Sequence, residues 1–448
     1  MSGETPAIRE ALAVYAPEAP ETERVPPGYK QTEVGVIPED WELLTLADIC
    51  ESGGLVRGPF GGALKKEFFV DTRGYKVYEQ RNAIYKSAEL GTYFVDESKF
   101  RELSRFKVKA GDFIVSCSGT IGRVFQIPEG AKAGIINQAL LKIKVDSGTV
   151  LDQYFFYVFE SDQFQKRIID NTHGGAMQNL VGMDTFRDTE IPIPSLSEQC
   201  AIAAALSDVD ALISSLDRLI SKKRAVKTAA MQQLLTGKQR LPGFSGEWEV
   251  RRLADLGKTY GGITGKTKVD FGQGAAKYIP FLNVMNNVVV DVGDLASVAI
   301  SDSENQNRTK KNDLFFNGSS ETPEELGMCS VLLEDVERVY LNSFCFGFRL
   351  NSGAGAAYAP YLAYFFRSGE GRKLLHFLAQ GATRYNLSKT NFLRLEIPLP
   401  EQREQTAIAT VLSDMDVEIS ALEARREKTR RIKQGMMQEL LTGRARLA

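Results

Sequence analysis

Histidine is almost missing from this chain: His173 and His376 are the whole supply. A zinc centre built from His and Cys at short spacings therefore cannot be assembled. A Ser–His–Asp triad is formally available, but no nucleophile-elbow motif stands behind one. Both histidines read as residues at helix ends. Cysteine is scarce and scattered. Cys50, Cys117, Cys200, Cys329 and Cys345 include no C-x-x-C pair, and an odd count at irregular spacing fits reduced thiols in a cytoplasm. An excess of one charge is lacking too. Lys plus Arg number 55 against 57 Asp plus Glu, for a net charge of −2, so any DNA-facing surface must be local. No apolar run reaches the roughly 18 residues of a membrane helix. The N-terminus has no basic start followed by an apolar core, so it is no secretory signal; acidic and Pro-rich, residues 1–26 read as a disordered tail. What remains is the composition of an ordinary globular chain, 43% hydrophobic and 25% charged. At about 150 residues per domain, 448 residues suggest roughly three structural units.

The dominant feature is an internal repeat. EIPIPSLSEQCAIAAALSDVDALIS begins at Glu190 and EIPLPEQREQTAIATVLSDMDVEIS at Glu396. The offset of 206 holds without a gap to the end of the chain, and 27 of the 52 pairs from Glu190 to Leu241 are identical. Weaker matches extend upstream: Gly175-Ala176 with Gly381-Ala382, Asn179-Leu180 with Asn386-Leu387, and Phe186 with Phe392. WELLTLADI at Trp41 matches WEVRRLADL at Trp248, and these are the only two tryptophans. The order is variable region, helix, variable region, helix, a pseudo-two-fold repeat.

The matching stretches read as long helices. Ile202, Leu206, Val209, Ile213, Leu216 and Ile220 alternate steps of four and three, as do Ile408, Leu412, Met415, Ile419 and Leu422. That is a coiled-coil seam. Val226, Ala230 and Leu234 continue the first stripe, and Ile432, Met436 and Leu440 the second. Pro192, Pro194, Pro398 and Pro400 read as turns that set the starts. Gly237 and Gly443 act as stops. Each helix has about 40 residues, on the order of 60 Å. Its first half is acidic (Asp208, Asp210 and Asp217; Asp414, Asp416 and Glu423) and its second half basic (Lys222, Lys223, Arg224 and Lys227; Arg426, Lys428, Arg430 and Lys433). An antiparallel pairing sets each acidic half beside the other helix's basic half. The same segregation also complements each helix's own macrodipole.

The variable regions read as α+β. GDFIVSCSGTIGR at Gly111 and INQALLKIKV at Ile136 look like strands, and LDQYFFYVFESDQFQKRII at Leu151 like a helix. In the second region YIPFLNVMNNVVV and FCFGFRL read as strands, PYLAYFFRSGEGRKLLHFLAQ as the matching helix, and TKVDFGQGAAK as a loop. The expected boundaries are a tail over 1–26, a first globular domain over 27–196, a helix over 197–238, a second domain over 239–401 and a second helix over 402–448.

Catalytic signatures fail one after another. GGITGKT, Gly261 to Thr267, is the nearest to a phosphate loop, but Tyr260 stands where the first glycine belongs and no helix pattern follows. A Gly-rich loop whose amides and Lys266 approach a DNA phosphate is the better reading. No Asp/Asn-Pro-Pro-aromatic loop of an amino-methyltransferase, no G-x-G-x-x-G and no nuclease pattern is present. Polar and basic residues do sit in turn-rich places where they can meet DNA: Arg57, Lys65, Lys66, Arg81, Asn82, Ser116, Ser118 and Arg123 in the first domain, and Thr264, Lys266, Lys268, Asn283, Asn286, Arg384 and Tyr385 in the second. Arg reads guanine and Asn reads adenine through paired hydrogen bonds. For each residue, a solvated surface role is the competing reading.

In combination these pieces resemble the specificity (S) subunit of type I restriction–modification systems. The resemblance covers about residues 27–448. It rests on GVIPEDWELLTL, GPFGGALKKEFF from Gly58, GDFIVSCSGTIGR, INQALLKIKV, QNL at Gln178, YNL at Tyr385, the two IP-x-P segments and the S-E-Q and R-E-Q helix starts. NDLFFNGSSETPEELG from Asn312 departs from the pattern in the second domain. The resemblance implies two target-recognition domains joined by two antiparallel helices, with no chemistry in the chain and no metal or cofactor of its own. It implies double-stranded DNA as ligand, each domain reading one half of a split target. It implies two adenine-methylating (M) subunits docked on the helices, using S-adenosylmethionine, and restriction (R) subunits that join this M2S complex and use ATP and Mg2+. No membrane enters that picture, and the compartment is the cytoplasm of a bacterium or archaeon.

The physical reading is compatible. An internal repeat lets one chain bind two identical partners. Unlike domains make an asymmetric target, with half-site centres about one helical turn, roughly 34 Å, apart. Flipping the target adenine falls to the partners. Two other classes stay open at this point: a nucleotide hydrolase using Gly261 to Thr267, and a coiled-coil scaffold without a DNA role.

Overall fold

The architecture is that of a computed structural model describing residues 25–71, 73–170, 179–301, 303–351, 357–381 and 384–447. Most of the expected tail, His173, Gly175-Ala176, Gln178 and Ala382 lie outside these residues. The chain divides into two compact units. The first joins the chain up to Ser214 to the segment from Glu427 onward; the second runs from Ser215 to Arg426. The long helices Leu196–Leu234 and Gln402–Leu440, 39 residues each, therefore give one half to each unit rather than forming domains of their own.

Within each unit the helix halves pair antiparallel, acid against base. In the first, Lys433 Nζ lies 2.8 Å from Asp210. In the second, Lys223 pairs with Glu418 at 2.7 Å and Arg426 with Asp217 at 2.9 Å, and Arg224–Glu423 and Lys227–Asp416 are further pairs. Ile202, Leu206, Leu216, Ile408, Leu412 and Ile419 are buried; Val209, Ile213, Met415 and Leu422 are half-buried. The stripe continues to the buried Leu234 and Leu440, but not through every expected position. Val226 and Ile432, expected inside, are 47% and 48% exposed. Lys227 and Lys433 face inward instead, each ammonium over a tyrosine ring, Tyr364 at 5.3 Å and Tyr157 at 5.2 Å. Val226 and Ile432 stand one residue off the alternating four-and-three spacing, which runs on through Lys227, Ala230 and Leu234 and through Lys433, Met436 and Leu440.

The first half of the first helix is Ala-rich. An 18-residue window there reaches a mean hydropathy of 1.3, enough by length and composition to cross a membrane, although the sequence has no uninterrupted apolar run. Asp210 interrupts it and is engaged by Lys433 and by the hydroxyl of Tyr157, which donates to it at 3.0 Å. The second unit repeats this arrangement, Tyr364 donating to Asp416 at 2.8 Å.

Both helices begin and end alike. Pro192 and Pro398 lie in strands, not turns: Glu190–Ile193 pairs with Glu42–Thr45, and Glu396–Leu399 with Glu249–Arg252. A two-stranded ribbon tolerates a proline, whose missing N–H can face outward. Gly237 and Gly443 end the helices at φ +69 and +71. A Cβ on Gly443 would stand 3.2 Å from the Trp41 ring, and one on Gly237 would stand 3.4 Å from Trp248.

That contact completes a cluster built twice. Trp41 Nε1 donates to Glu198 at 3.1 Å, and Arg446 grips the same carboxylate at 2.6 and 2.8 Å. Trp248 Nε1 donates to Glu404 at 3.3 Å, and Arg240 grips it at 2.5 and 2.6 Å. Glu404 has no exposed side-chain surface. Removing one member of a buried pair leaves an uncompensated charge, at a cost of about 3–5 kcal/mol. Arg240→Ala is expected to lower unfolding stability by that amount, read by urea titration. Lys373→Ala, whose ion pair with Glu370 is exposed, is expected to cost no more than about 0.5 kcal/mol. Equal effects would remove the cluster from the stability account.

The sheets repeat where the sequence does not. Val124–Gln126, Phe113–Ser116, Leu140–Val145 and Cys50–Arg57 form an antiparallel sheet in that order. Cys329–Val331, Leu314–Asn317, Cys345–Leu350 and Gly257–Gly261 form its counterpart in the same order. A second sheet in each unit holds one parallel pair, Tyr75–Tyr78 with Gly134–Ile136 and Phe271–Ile279 with Val339–Leu341. Two sequence readings change here. FGQGAAK is strand rather than loop, and Phe281–Asn286 is a short helix entered through Pro280 rather than strand. The two expected helices, at Leu151 and Pro360, are each two, broken where Ser161 and Ser368 cap the second piece.

The departure at Asn312 is resolved by backbone geometry. Gly111 and Asn312 both take positive φ, +87 and +68, which favours glycine and then asparagine. The following Asp112 and Asp313 accept from the backbone N–H of Lys109 and Lys310 at 2.9 and 2.8 Å. Asp112–Ser116 therefore overlays Asp313–Asn317. Ser116 and Asn317, both with no exposed surface, each accept a backbone N–H with their side-chain oxygen, from Arg123 at 3.0 Å and Met328 at 2.5 Å.

The thiols follow the packing. Burial pushes the thiol of Cys50 up to about 12, Cys117 up to about 11 and Cys345 up to about 12, and raises Cys329 as well. Cys200 is the exposed one. An aromatic disulfide reagent at pH 8 is expected to titrate one thiol in the native chain and five after unfolding. Rapid reaction of two or more native thiols would contradict the packing.

Candidate nucleic-acid interface

At one end of each four-stranded sheet, loops converge on a glycine. A Cβ on Gly58 would stand 1.9 Å from the Asn137 carbonyl oxygen, and one on Gly262 would stand 1.9 Å from that of Asn342. No side chain fits at either place. In the first unit Gly58 N–H donates to Leu140 and Cys117 N–H to Ala139, drawing together the loops after Arg57, Ser116 and Ile136. In the second, Ile263 N–H donates to Leu341 and Gly318 N–H to Phe344.

The expected contact residues fall into three groups. Asn82, Asn283 and Ser116 are corrections. Asn82 has no exposed surface and spends its amide on the carbonyls of Ser87 and Leu90, at 2.9 and 2.7 Å. Asn283 does the same with Asp291 and Asp294, at 2.8 and 3.1 Å. They are the same structural asparagine in two copies, each ordering the loop behind a short helix. Ser116 is the buried acceptor described above. The two asparagines have spent their amide donors, and burial keeps Ser116 from a base.

A second group is present but diverted. Lys266 is held by Glu304 at 2.7 Å. Lys266 and the Ser301 backbone N–H hold the Glu304 carboxyl down to about 2. Glu304 titrates below its unfolded value, so this tie is present at neutral pH and is lost as pH falls from about 4.5 toward 2. Lys65 and Arg81 face Glu67 and Glu79 at 3.7 and 3.5 Å, and both lysine and arginine stay more than half exposed. Tyr385 is half-buried in a small sheet beside Ser319–Ser320. Asn286 lines another cavity, with Arg224 and Asp416, and does not join the loops.

The third group stays available. Lys66, Ser118 and Arg123 are exposed in the first unit, as are Thr264, Lys268 and Arg384 in the second. Arg57 ends its strand half-buried, its Nε without a hydrogen-bond partner among the described residues. Thr264 and Arg384, 120 positions apart in sequence, share one concavity of about 500 Å³ with Ser319, Phe344 and Lys389. Arg384 Nε donates to Ser319 Oγ at 2.7 Å. No carboxylate appears among the described residues lining it. Lys389 and the exposed Phe344 and Phe60 escape sequence reasoning. Phe60 is signalled only by its Gly-rich surroundings, and Phe344 by nothing short of its loop partner.

Such a surface, small in area with unpaired cations and hydroxyls on loops of a rigid sheet, can hold phosphates and base edges.

The model of the type I restriction modification DNA specificity domain matches twice, at residues 38–222 and 245–431. The putative MjaX specificity subunit of Methanocaldococcus jannaschii, a type I restriction enzyme subunit, is 25% identical over 94% of this chain and 97% of its own length. The MjaVIII specificity subunit of the same organism is 24% identical over 92% and 94%. Two solved structures share the fold at 15% identity. The S subunit of the type I restriction-modification system of M. genitalium covers 89% of this chain and 96% of its own, with a TM-score of 0.51. A chain from a study of complex assembly and conformational transition of the type I R-M system covers 91% and 99%, with a TM-score of 0.57.

Proposed function

The chain belongs to the type I restriction–modification DNA specificity family, and on that premise we propose a division of labour within it. Each recognition domain reads one half of a bipartite, asymmetric double-stranded DNA target. The long helices set the spacer and dock two adenine methyltransferase subunits. The chain performs no chemistry and holds no cofactor; the M subunits bring S-adenosylmethionine. Restriction subunits, with ATP and Mg2+, join the M2S complex, in the cytoplasm of the host.

The observation that carries this reading is the way the two units differ. The Trp–Glu–Arg clusters, the Tyr–Asp–Lys clusters and the helix stops are built from the same residues twice. The loop surfaces are not: the first unit offers Arg57, Ser118 and Arg123, and the second offers Thr264, Arg384 and Lys389 around one concavity. One chain then presents two like surfaces for two identical partners and two unlike surfaces for two different half-sites.

The helices also repeat residues that folding does not use. Lys222 and Lys428 are exposed equivalents, four residues before Val226 and Ile432 on the same helix face. Asp208 with Asp414 and Gln232 with Gln438 are exposed and identical too. These positions form the docking face in this reading. Mixing the chain with its neighbouring methyltransferase subunit and weighing the product by native mass spectrometry tests it. The expected mass is one chain with two M subunits. A chain that stays alone, or binds a single M subunit at saturation, contradicts the proposal.

A further inference from the structure

We propose that Phe60 and Phe344 are specificity-determining residues, each ring making an apolar contact to one base of the half-site read by its domain. The inference rests on the DNA-reading role above and names a contact within it.

Phe344 has a fixed backbone and an unburied ring. Its N–H donates to Asn342 Oδ1 at 3.0 Å, and its carbonyl accepts from Gly318 N–H at 2.9 Å. Both bonds are made by backbone atoms, so any residue would make them. The ring makes one edge-on contact, with Phe281 at 6.4 Å, and the residue stays 55% exposed. Phe60 is 73% exposed, two residues beyond the glycine seated on Asn137. A large apolar side chain held in water on an ordered loop has a use that folding does not supply.

The repeat sharpens the point. Asn137 and Asn342 are equivalent: the side-chain oxygen of each accepts the N–H two residues on, from Ala139 at 3.0 Å and from Phe344 at 3.0 Å. Gly58 and Gly262 are equivalent by their contact with those asparagines. Phe60 therefore matches Thr264, and Phe344 matches Ala139. Each domain carries one ring and one small residue on the same two loops, with the loops exchanged. A ring that served the fold would keep its place in both copies. A ring that reads a base can change loops when the half-site changes.

Charge identifies the occupant. The Arg384 guanidinium lies over the Phe344 ring at 5.8 Å, and Lys389 lines the same concavity, with no carboxylate among its described residues. Cations beside an unburied ring suit a base flanked by phosphates. Apolar contacts from Phe to bases, at the thymine methyl or at an opened step, are a known part of sequence readout.

The test uses the full chain in its complex with M subunits, in cells whose methylated adenines are mapped by single-molecule sequencing. Phe344→Ala is expected to relax the motif at one base position in one half, with at least tenfold less preference for the original base. Phe60→Ala is expected to do so in the other half. Phe344→Leu and Phe60→Leu, which keep an apolar contact and the backbone bonds, are expected to retain most of the preference, and complex mass confirms assembly for all four. An unchanged motif and unchanged rate in assembled alanine variants would overturn the inference while leaving the specificity reading intact. A uniform loss of methylation at every site without relaxation would also overturn it, because a backbone contact behaves that way. A wild-type complex that yields no split motif would overturn the reading beneath it.

Discussion

Adding four residues to each long helix is expected to lengthen the spacer between the two half-sites by roughly two base pairs and to leave both half-site sequences unchanged. The insertions go between Ser214 and Ser215 in the first helix and between Arg426 and Glu427 in the second, the places where each helix passes from one unit to the other. There Asp210–Lys433 stays within one unit, and Arg224–Glu423, Lys227–Asp416 and Asp217–Arg426 stay within the other. Four residues add about 6 Å of helix and turn it about 40° beyond a full turn. DNA rises about 3.4 Å per base pair. The length gain corresponds to roughly two base pairs, and the small residual rotation is of the size that a spacer change itself introduces. Mapping methylated adenines in cells carrying the lengthened chain reads the result. New half-site sequences, or an unchanged spacer with full activity, would show that the helices do not measure the target.

Reversing the outer face of the helices is expected to remove the methyltransferase subunits one at a time. Lys222→Glu with Val226→Asp is expected to leave a complex with one M subunit, and adding Lys428→Glu with Ile432→Asp a chain with none. Val226 and Ile432 are 47% and 48% exposed, so the isolated chain keeps its stability to within about 0.5 kcal/mol. An aspartate placed in a desolvated contact costs about 2–4 kcal/mol, more than tenfold in affinity per step. Leu206→Asp and Leu412→Asp also abolish assembly, but by another route: Leu206 and Leu412 have no exposed surface and sit in the cores of their units. Their variants lose the fold first. Native mass spectrometry and a melting curve separate the two causes. Loss of both M subunits in the first double variant would show that docking is cooperative rather than repeated.

The helices were legible because their information is local and written twice. Ile202 to Leu216 and Ile408 to Leu422 carry the period in plain view, and the charge halves fix the antiparallel sense. Val226 and Ile432 are misplaced because their apolar character leads one residue off that period, which Lys227 and Lys433 keep. Lys227 and Lys433 look like surface lysines in sequence; only Tyr364 and Tyr157, far away in the chain, turn them inward. The loops were less legible for a different reason. Asn82 and Asn283 share the residue type and turn-rich setting of a base reader, but their partners are carbonyls five to eleven residues away that no spacing rule announces. Arg384 and Thr264 could be named singly, not as neighbours, because their meeting depends on how Gly262 lets one loop close on Asn342. The equivalence of Gly111-Asp112 with Asn312-Asp313 was hidden by a substitution that is conservative in backbone angle and not in chemistry.

This chain is expected to choose the sequence its partners methylate. Single-molecule sequencing of the genome in a host carrying the chain with its neighbouring methyltransferase gene, and again with only this chain deleted, tests it most directly. One split, asymmetric motif of methylated adenine is expected in the first host, and its disappearance in the second. An identical pattern of methylation with and without the chain would contradict it.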